Sequence, residues 1–297
     1  MSGAARLRAR LEEGRILVVP GVYDGLSARI ATAAGFEAIY CSGGAVARST
    51  GVPDLGLLSM SEVLGRLREV VDATELPVIA DADTGYGNAL NVIRTVREFE
   101  RMGAAAIHLE DQVAPKKCGH YSGQQLIRAE EMVQKLRAAV DTRREMLIIA
   151  RTDARGQAGL AEAIRRGRLY ADAGADVIFI EAPTSREEIE TIAGSFSEPL
   201  LINMFAGGRT PLIPAAELEQ MGYRLVIVPS DLQRAAIRAM QLTAEALFRD
   251  GSSKAVRDRL APFAARDAIV DLAGWTELDS RYAEADPPRA NHREAGQ

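Results

Sequence analysis

Short apolar runs rich in β-branched residues recur at 17–19, 38–40, 78–80, 106–109, 147–150, 177–180, 200–202 and 225–228, without regular polar alternation. Such runs are what parallel strands covered on both faces require, so the pattern predicts eight strands. The stretches between them carry apolar residues at helical spacing, most clearly at 61–71, 91–102, 129–140, 160–173 and 232–248. Four strands follow a glycine, Gly35, Gly103, Gly174 or Gly222, where a left-handed residue would close the preceding helix. A strand then a helix, eight times over, fits a closed (β/α)8 barrel of the TIM type better than an open doubly wound sheet. The open sheet would need a Gly-rich dinucleotide turn, which Pro20-Gly21-Val22-Tyr23-Asp24-Gly25 is not. Beyond residue 248, segments at 255–260 and 264–272 predict extra C-terminal helices, followed from Ala283 by a polar tail that reads as loose. The expected organisation is a barrel domain over 1–250 and a helical extension with its tail over 251–297.

Composition narrows the function classes. With 47% hydrophobic residues in 297, the chain is too apolar to be disordered. A net charge of −5 without a dense basic stripe argues against a nucleic-acid partner. Two cysteines, Cys41 and Cys118, are too few and too far apart for a disulfide framework or a metal knuckle, which predicts a reducing, cytoplasmic setting. Residues 1–14 mix arginines and glutamates without an apolar stretch, unlike a secretory signal, and no run approaches the ~20 apolar residues that span a bilayer.

In a barrel enzyme the reactive groups stand at the carboxyl ends of the strands. Here every apolar run leads into a polar residue there: Asp24, Ser42, Asp81 with Asp83, Glu110 with Asp111, Arg151 with Asp153, Glu181, Asn203 and Ser230. Asp24, Asp153 and Ser230 read individually as helix caps. The set as a whole reads otherwise, because several carboxylates converging on one mouth repel one another unless a cation sits among them. Oxygen donors without a His/Cys group point to a hard cation, Mg²⁺ or Mn²⁺. Asp81 and Asp83, two apart on a strand, face the same side. Ser42-Gly43-Gly44 offers bare backbone N–H groups and a hydroxyl to an anion. Arg151, ending the run 147–150, is placed to grip an acidic substrate. The long segment 112–127 reads as a lid. It carries Cys118 between lysines and a histidine, a setting expected to favour thiolate and proton exchange near neutral pH. Cys41 reads as a packed apolar residue.

Six segments together resemble the isocitrate lyase and phosphoenolpyruvate mutase superfamily over about residues 15–249. They are Ser42-Gly43-Gly44, Gly51-Val52-Pro53-Asp54, Asp81-Ala82-Asp83-Thr84-Gly85-Tyr86-Gly87, His108-Leu109-Glu110-Asp111-Gln112, Lys116-Lys117-Cys118-Gly119-His120 and Ala150-Arg151-Thr152-Asp153-Ala154. The Lys-Cys-Gly-His loop is most similar to the branch of 2-methylisocitrate and 2,3-dimethylmalate lyases. What the resemblance implies is a Mg²⁺-dependent carbon–carbon lyase that releases a 2-oxo acid such as pyruvate from a 2-hydroxy di- or tricarboxylate. It implies metal organised by Asp81, Asp83 and Glu110 with Asp54, and substrate held by Ser42, Gly43, Gly44, Gly119, Arg151, Glu181 and Asn203. Catalytic roles fall to Cys118, Tyr40, His120 and Lys117, with Cys118 protonating the departing carbanion. A homotetramer with C-terminal helices exchanged between neighbours is implied as well.

Three positions depart from the family's usual pattern: Tyr121 replaces arginine, Gln124 lysine and Ala206 glutamate. Losing two cationic groups points to a substituted malate or related dicarboxylate. The rival readings are an oxaloacetate hydrolase or decarboxylase, a carboxyvinyl-carboxyphosphonate phosphonomutase, and an idle metabolite-binding barrel.

Overall fold

A computed structural model describes residues 1–121 and 123–283. The tail expected to be loose lies almost wholly outside the described residues. Eight strands, β1 (Leu17–Val22), β2 (Ile39–Cys41), β3 (Val78–Asp81), β4 (Ala106–Glu110), β5 (Leu147–Thr152), β6 (Val177–Ile180), β7 (Leu200–Asn203) and β8 (Tyr223–Val228), pair in parallel in chain order. The barrel closes where β8 meets β1, Leu17 opposite Leu225. The helices are α1 (Gly3–Glu12), α2 (Gly25–Ala33), α3 (Gly43–Ser49), α4 (Met60–Asp72), α5 (Ala89–Arg101), α6 (Ala129–Thr142), α7 (Ala154–Ala158), α8 (Leu160–Asp172), α9 (Arg186–Ala193), α10 (Ala215–Met221), α11 (Asp231–Asp250), α12 (Phe263–Ile269) and α13 (Leu272–Tyr282).

Two apolar layers hold the barrel. Inside it, Val19, Tyr40, Ile79, Ile149, Phe179 and Ile227 pack together, and Ala4, Leu7 and Leu11 of α1 join that cluster. Because the cluster includes Leu17, Ala38, Ala106 and Leu147, α1 closes the end of the barrel where the strands begin. The second layer lies between strands and helices, with Leu67, Phe99, Met132 and Tyr170 among its fully buried members. Gly35, Gly103, Gly174 and Gly222 all have φ between 88° and 111°, the left-handed geometry expected of them.

Three local expectations change. Asp24 caps α2, accepting from Ser27 N at 2.7 Å, but neither Asp153 nor Ser230 makes a side-chain cap. Ser42-Gly43-Gly44 does not offer its groups bare: Ser42 is the N-cap of α3, the glycines are its first turn, and Gly43 N donates to Asp81. The helix expected over 264–272 is α12, which stops at Ile269; Asp271, with φ of 56°, breaks the run while its side chain accepts from Gly274 N, and a further helix not expected from the sequence, α13, follows. Compactness divides the chain after Val256, a few residues past the expected boundary. In the smaller unit, Arg266 stacks over Phe263 at 4.2 Å, while Phe263, Trp275 and Tyr282 remain exposed. No helix among the described residues is long and apolar enough to cross a membrane.

Asp111, at the end of β4, is fully buried and satisfied by protein alone. It accepts from Thr152 Oγ1 (2.7 Å), Asp153 N (3.0 Å), Arg166 Nη1 (2.9 Å) and Tyr170 OH (2.7 Å), tying β4, β5 and α8 together. An amide can accept through only one atom where the carboxylate accepts through two. Asp111→Asn is therefore expected to cost about 2–3 kcal/mol through unsatisfied buried donors. Urea denaturation at unchanged m-value reads this out, and a loss below about 1 kcal/mol would contradict the role.

Candidate active site

Strand register brings the polar ends together: Asp81 stands opposite His108 across β3 and β4, and Glu110 opposite Arg151 across β4 and β5. A cavity of about 360 Å³ opens over these ends. On one side its wall holds Tyr40, Ser42, Gly44, Asp54 and Asp81. Asp81 is the hub. It accepts from the Tyr40 hydroxyl (3.1 Å), from Gly43 N (3.2 Å) and from Asp83 N (3.0 Å). Gly43 is required by close approach, since a Cβ there would lie 2.6 Å from the pinned Asp81 Oδ2. Burial pushes the Asp81 carboxyl up, but the His108 ring, the Lys116 ammonium and the Arg151 guanidinium outweigh it and hold it below the ordinary carboxylate range. The Tyr40 hydroxyl also lies 2.7 Å from His108 Nε2. Burial takes His108 down to about 4 against the pull of Asp81, so the ring is neutral at pH 7.

Asp83 sits behind the wall in a left-handed backbone (φ 47°), a conformation a non-glycine residue holds only where its surroundings enforce it. Burial pushes its carboxyl up to about 6, Lys116 opposing and Asp81 adding repulsion. The Lys116 ammonium bridges Asp54 (2.6 Å) and Asp83 (2.9 Å). Glu110 is fully buried, and burial raises it well above the usual carboxylate range despite Arg151.

Arg151 enters the wall from β5 with Glu181 and Asn203 beside it. The sequence left it free for a substrate; instead three carboxylates hold it. Its Nε and Nη2 fork Asp153 at 3.1 and 2.9 Å, Nη1 lies 3.2 Å from Glu110 and Nη2 3.4 Å from Glu181, over the Phe179 ring. Asp153, expected as a helix cap, is thus the second prong of that fork.

The lid lies over the wall and contributes Cys118, Gly119 and His120. Two glutamines fix it. Gln112 donates to Lys117 O (2.8 Å) and accepts from Lys117 N (2.9 Å); Gln124 donates to Cys118 O (2.8 Å) and Tyr121 O (3.0 Å) while accepting from Gln157 (2.8 Å). A Cβ on Gly119 would lie 2.5 Å from Glu181 and 2.6 Å from Arg151, so only glycine lets the lid settle this low. Arg209 N donates to His120 Nδ1 (3.1 Å), which places the ring proton on Nε2, facing Glu181 at 3.0 Å. Burial raises the Glu181 carboxyl, but Arg151 and then His120 bring it down to about 2. The Asn203 side-chain oxygen is buried with no protein partner.

Two expectations about the lid are corrected. Lys117 does not reach the cavity: it is exposed and its ammonium donates to Gly123 O. The Gln112 clamp on its backbone turns the neighbouring Lys116 inward instead. Nor does Cys118 favour thiolate. Burial first, and the Asp54 carboxylate next, push its thiol up to about 11, because the nearby ammonium is already matched by two carboxylates. Sequence reasoning also chose Lys117 over its neighbour Lys116 and missed Arg48 and Arg234; Lys116, Arg48 and Arg234 are all on the wall, and nothing near Arg48 or Arg234 in sequence marks the fold that brings them there.

The four residues assigned to metal do not converge as a ready cage, and among the described residues no three His, Cys, Asp or Glu side chains do. The donors nevertheless fit a hard cation. Glu110 Oε1 is buried with no partner, Glu110 Oε2 and Asp83 Oδ1 are met only by the Arg151 and Lys116 cations, and the set offers oxygen only.

Fold and site together define a (β/α)8-barrel enzyme whose mouth gathers acids, a guanidinium and a protonated thiol. The chain belongs to the phosphoenolpyruvate phosphomutase family, whose model matches residues 7–248, within the isocitrate lyase superfamily. It is 45% identical over 286 residues to a protein of Eubacterium barkeri named 2,3-dimethylmalate lyase, covering 95% of this chain and 99% of that one. It is 46% identical over 278 residues to 2-methylisocitrate lyase of Aeropyrum pernix, covering 94% and 89%. Among solved structures, 2,3-dimethylmalate lyase superposes with a TM-score of 0.90 at 38% identity, covering 97% of this chain and 99% of that one. Phosphonopyruvate hydrolase, solved with oxalate and Mg²⁺, superposes at 0.88 with 32% identity, covering 96% and all of that chain.

Proposed function

We propose that this chain is a Mg²⁺-dependent carbon–carbon lyase that cleaves a 2-hydroxy dicarboxylate of the substituted-malate type to a 2-oxo acid and a carboxylate. The observation that carries the reading is the Cys118 thiol, on the same cavity wall as Asp81, Arg151 and Glu181 and kept protonated at neutral pH by burial and the neighbouring Asp54. A bond cleavage that leaves electrons on carbon needs such an acid. The magnesium-bound neighbour and the unpartnered Glu110 Oε1, beside the other buried acids, support the cofactor. Asp81, Asp83 and Glu110 would hold the ion, partly through water, with Asp54 held back by Lys116. When bound, Mg²⁺ polarises the oxygen on the carbon that becomes the ketone.

The chain's own groups do the rest. Arg151, fixed by its three carboxylates, presents positive charge to the substrate carboxylate that ends in the 2-oxo acid. The Tyr40 hydroxyl, between Asp81 and neutral His108, lies on a relay able to take the proton from the substrate hydroxyl. Gly119, His120 and Asn203 bring the lid and the β7 end against the departing fragment, and Cys118 protonates its carbanion under a closed lid that excludes water. Lys116, rather than Lys117, is the lysine of this machinery.

The chain is further proposed to act in the cytoplasm as a homotetramer with exchanged C-terminal helices. Met240, Leu247 and Phe248 on α11, and Phe263, Trp275 and Tyr282 in the smaller unit, are exposed apolar groups that a partner would cover. Incubating purified protein with Mg²⁺ and a panel of 2-hydroxy and 2-oxo diacids tests the function by following 2-oxo acid release. Release from an alkyl-substituted malate, abolished by chelation and restored by Mg²⁺, is expected. Acetate and oxalate from oxaloacetate, or no turnover of any diacid, would replace the reading.

A further inference from the structure

Four cations reach the cavity wall: Arg48, Lys116, Arg151 and Arg234. Lys116 is matched by Asp54 and Asp83, and Arg151 by Glu110, Asp153 and Glu181. Arg234 lies 3.3 Å from Asp231 and donates to Ala206 O. Arg48, from α3, has no carboxylate within ion-pair distance among the described residues. Its one anchor is neutral: Nε donates to Gln233 Oε1 at 2.9 Å. Gln233 is 4% exposed, and its Nε2 donates to Ala45 O at 2.7 Å, which fixes its oxygen toward Arg48.

This arrangement occupies the Nε edge of the guanidinium and leaves both Nη groups without a carboxylate. Two parallel N–H donors at fixed spacing are the complement of a carboxylate. The wall's own acids cannot fill the role, since Asp54 holds Lys116, Glu181 holds Arg151 and His120, and Asp81 is pinned in place by Tyr40 and two backbone amides.

We propose that Arg48 determines substrate specificity by gripping, through its two Nη groups, the substrate carboxylate farthest from Arg151. The substrate class is accordingly an acid with a carboxylate at each end. This rests on the lyase reading above. The buried Gln233 amide is a positioning residue that keeps the fork oriented before substrate arrives.

Kinetics on the best-cleaved diacid and on its mono-ester at the end remote from the 2-hydroxy group provide the test, with wild type, Arg48→Met, Arg48→Lys and Gln233→Leu. Arg48→Met is expected to raise KM for the diacid about ten- to thirtyfold, the loss of one charge-assisted pair, with kcat within about threefold. KM for the mono-ester should stay put, Arg48→Lys should recover part of the loss, and Gln233→Leu should fall between. An unchanged diacid KM in Arg48→Met, or an equal rise for the ester, overturns the assignment. Calorimetric titration with succinate and Mg²⁺ separates this from the reading beneath it. If no diacid is turned over, the lyase reading fails, yet tenfold weaker succinate binding by Arg48→Met still upholds the grip. Equal affinities, or no succinate binding by wild type, overturn it.

Discussion

Cys118→Ser is expected to lower kcat about a thousandfold, within the range general acid catalysis supplies, while substrate affinity changes little. The substitution keeps the shape of the side chain and the lid's hydrogen bonds, which run through the Cys118 carbonyl rather than its sulfur. What it changes is acidity. The thiol, raised to about 11 by burial and by Asp54, carries its proton throughout the neutral range and can still give it to a far more basic carbanion. A serine hydroxyl is a much weaker acid and hands that proton over more slowly. The same value fixes the sign of a pH effect. Loss of the thiol proton depresses kcat only as pH climbs toward about 11, so no alkaline limb near pH 8 should trace to this group. Steady-state kinetics across pH 6–10 would show both features. A fall in kcat below tenfold would mean that another group, the Tyr40 hydroxyl or a water, delivers the proton.

That thiol also marks where sequence reasoning reached its limit. The barrel was legible because each strand announces itself locally, through an unalternated apolar run and, for four of them, a glycine-closed helix before it. The polar residue types at the strand ends were legible for the same reason. Their partnerships were not, because they join distant segments. Beside lysines and a histidine in sequence, Cys118 looks electropositive; in space the Lys116 charge is spent on Asp54 and Asp83, and burial prevails. Which of two adjacent lysines faces inward depends on the Gln112 clamp. Asp24 and Asp153 follow their strands alike, yet one caps a helix and the other forks an arginine. Arg48 takes its orientation from a glutamine 185 positions away. α1 is not legible in the sequence because its apolar Ala4, Leu7 and Leu11 are diluted by charge, although they plug the barrel.

Arg151→Met is expected to be the most damaging substitution at the site, costing about 3–5 kcal/mol of stability and all measurable turnover, because removing one side of a buried ion cluster strands the other. Methionine fills the aliphatic volume and keeps contact with the Phe179 ring, so packing contributes little to the loss. Three carboxylates remain, each at most a few per cent exposed, with their shared cation gone. Glu110 and Asp153 are already pushed up by burial and take up protons in the variant. Glu181 behaves differently: Arg151 helps hold it down to about 2, so its pairing stabilises the fold above the usual carboxylate range and is lost as pH falls toward 2. The gap between wild type and variant should therefore be widest near pH 7 and narrow between pH 5 and 3, as protonation relieves the variant while wild type loses its pairing. Thermal unfolding of both proteins over that pH range measures the gap. A gap independent of pH would assign the damage to packing, leaving the charge cluster without the structural role derived for it.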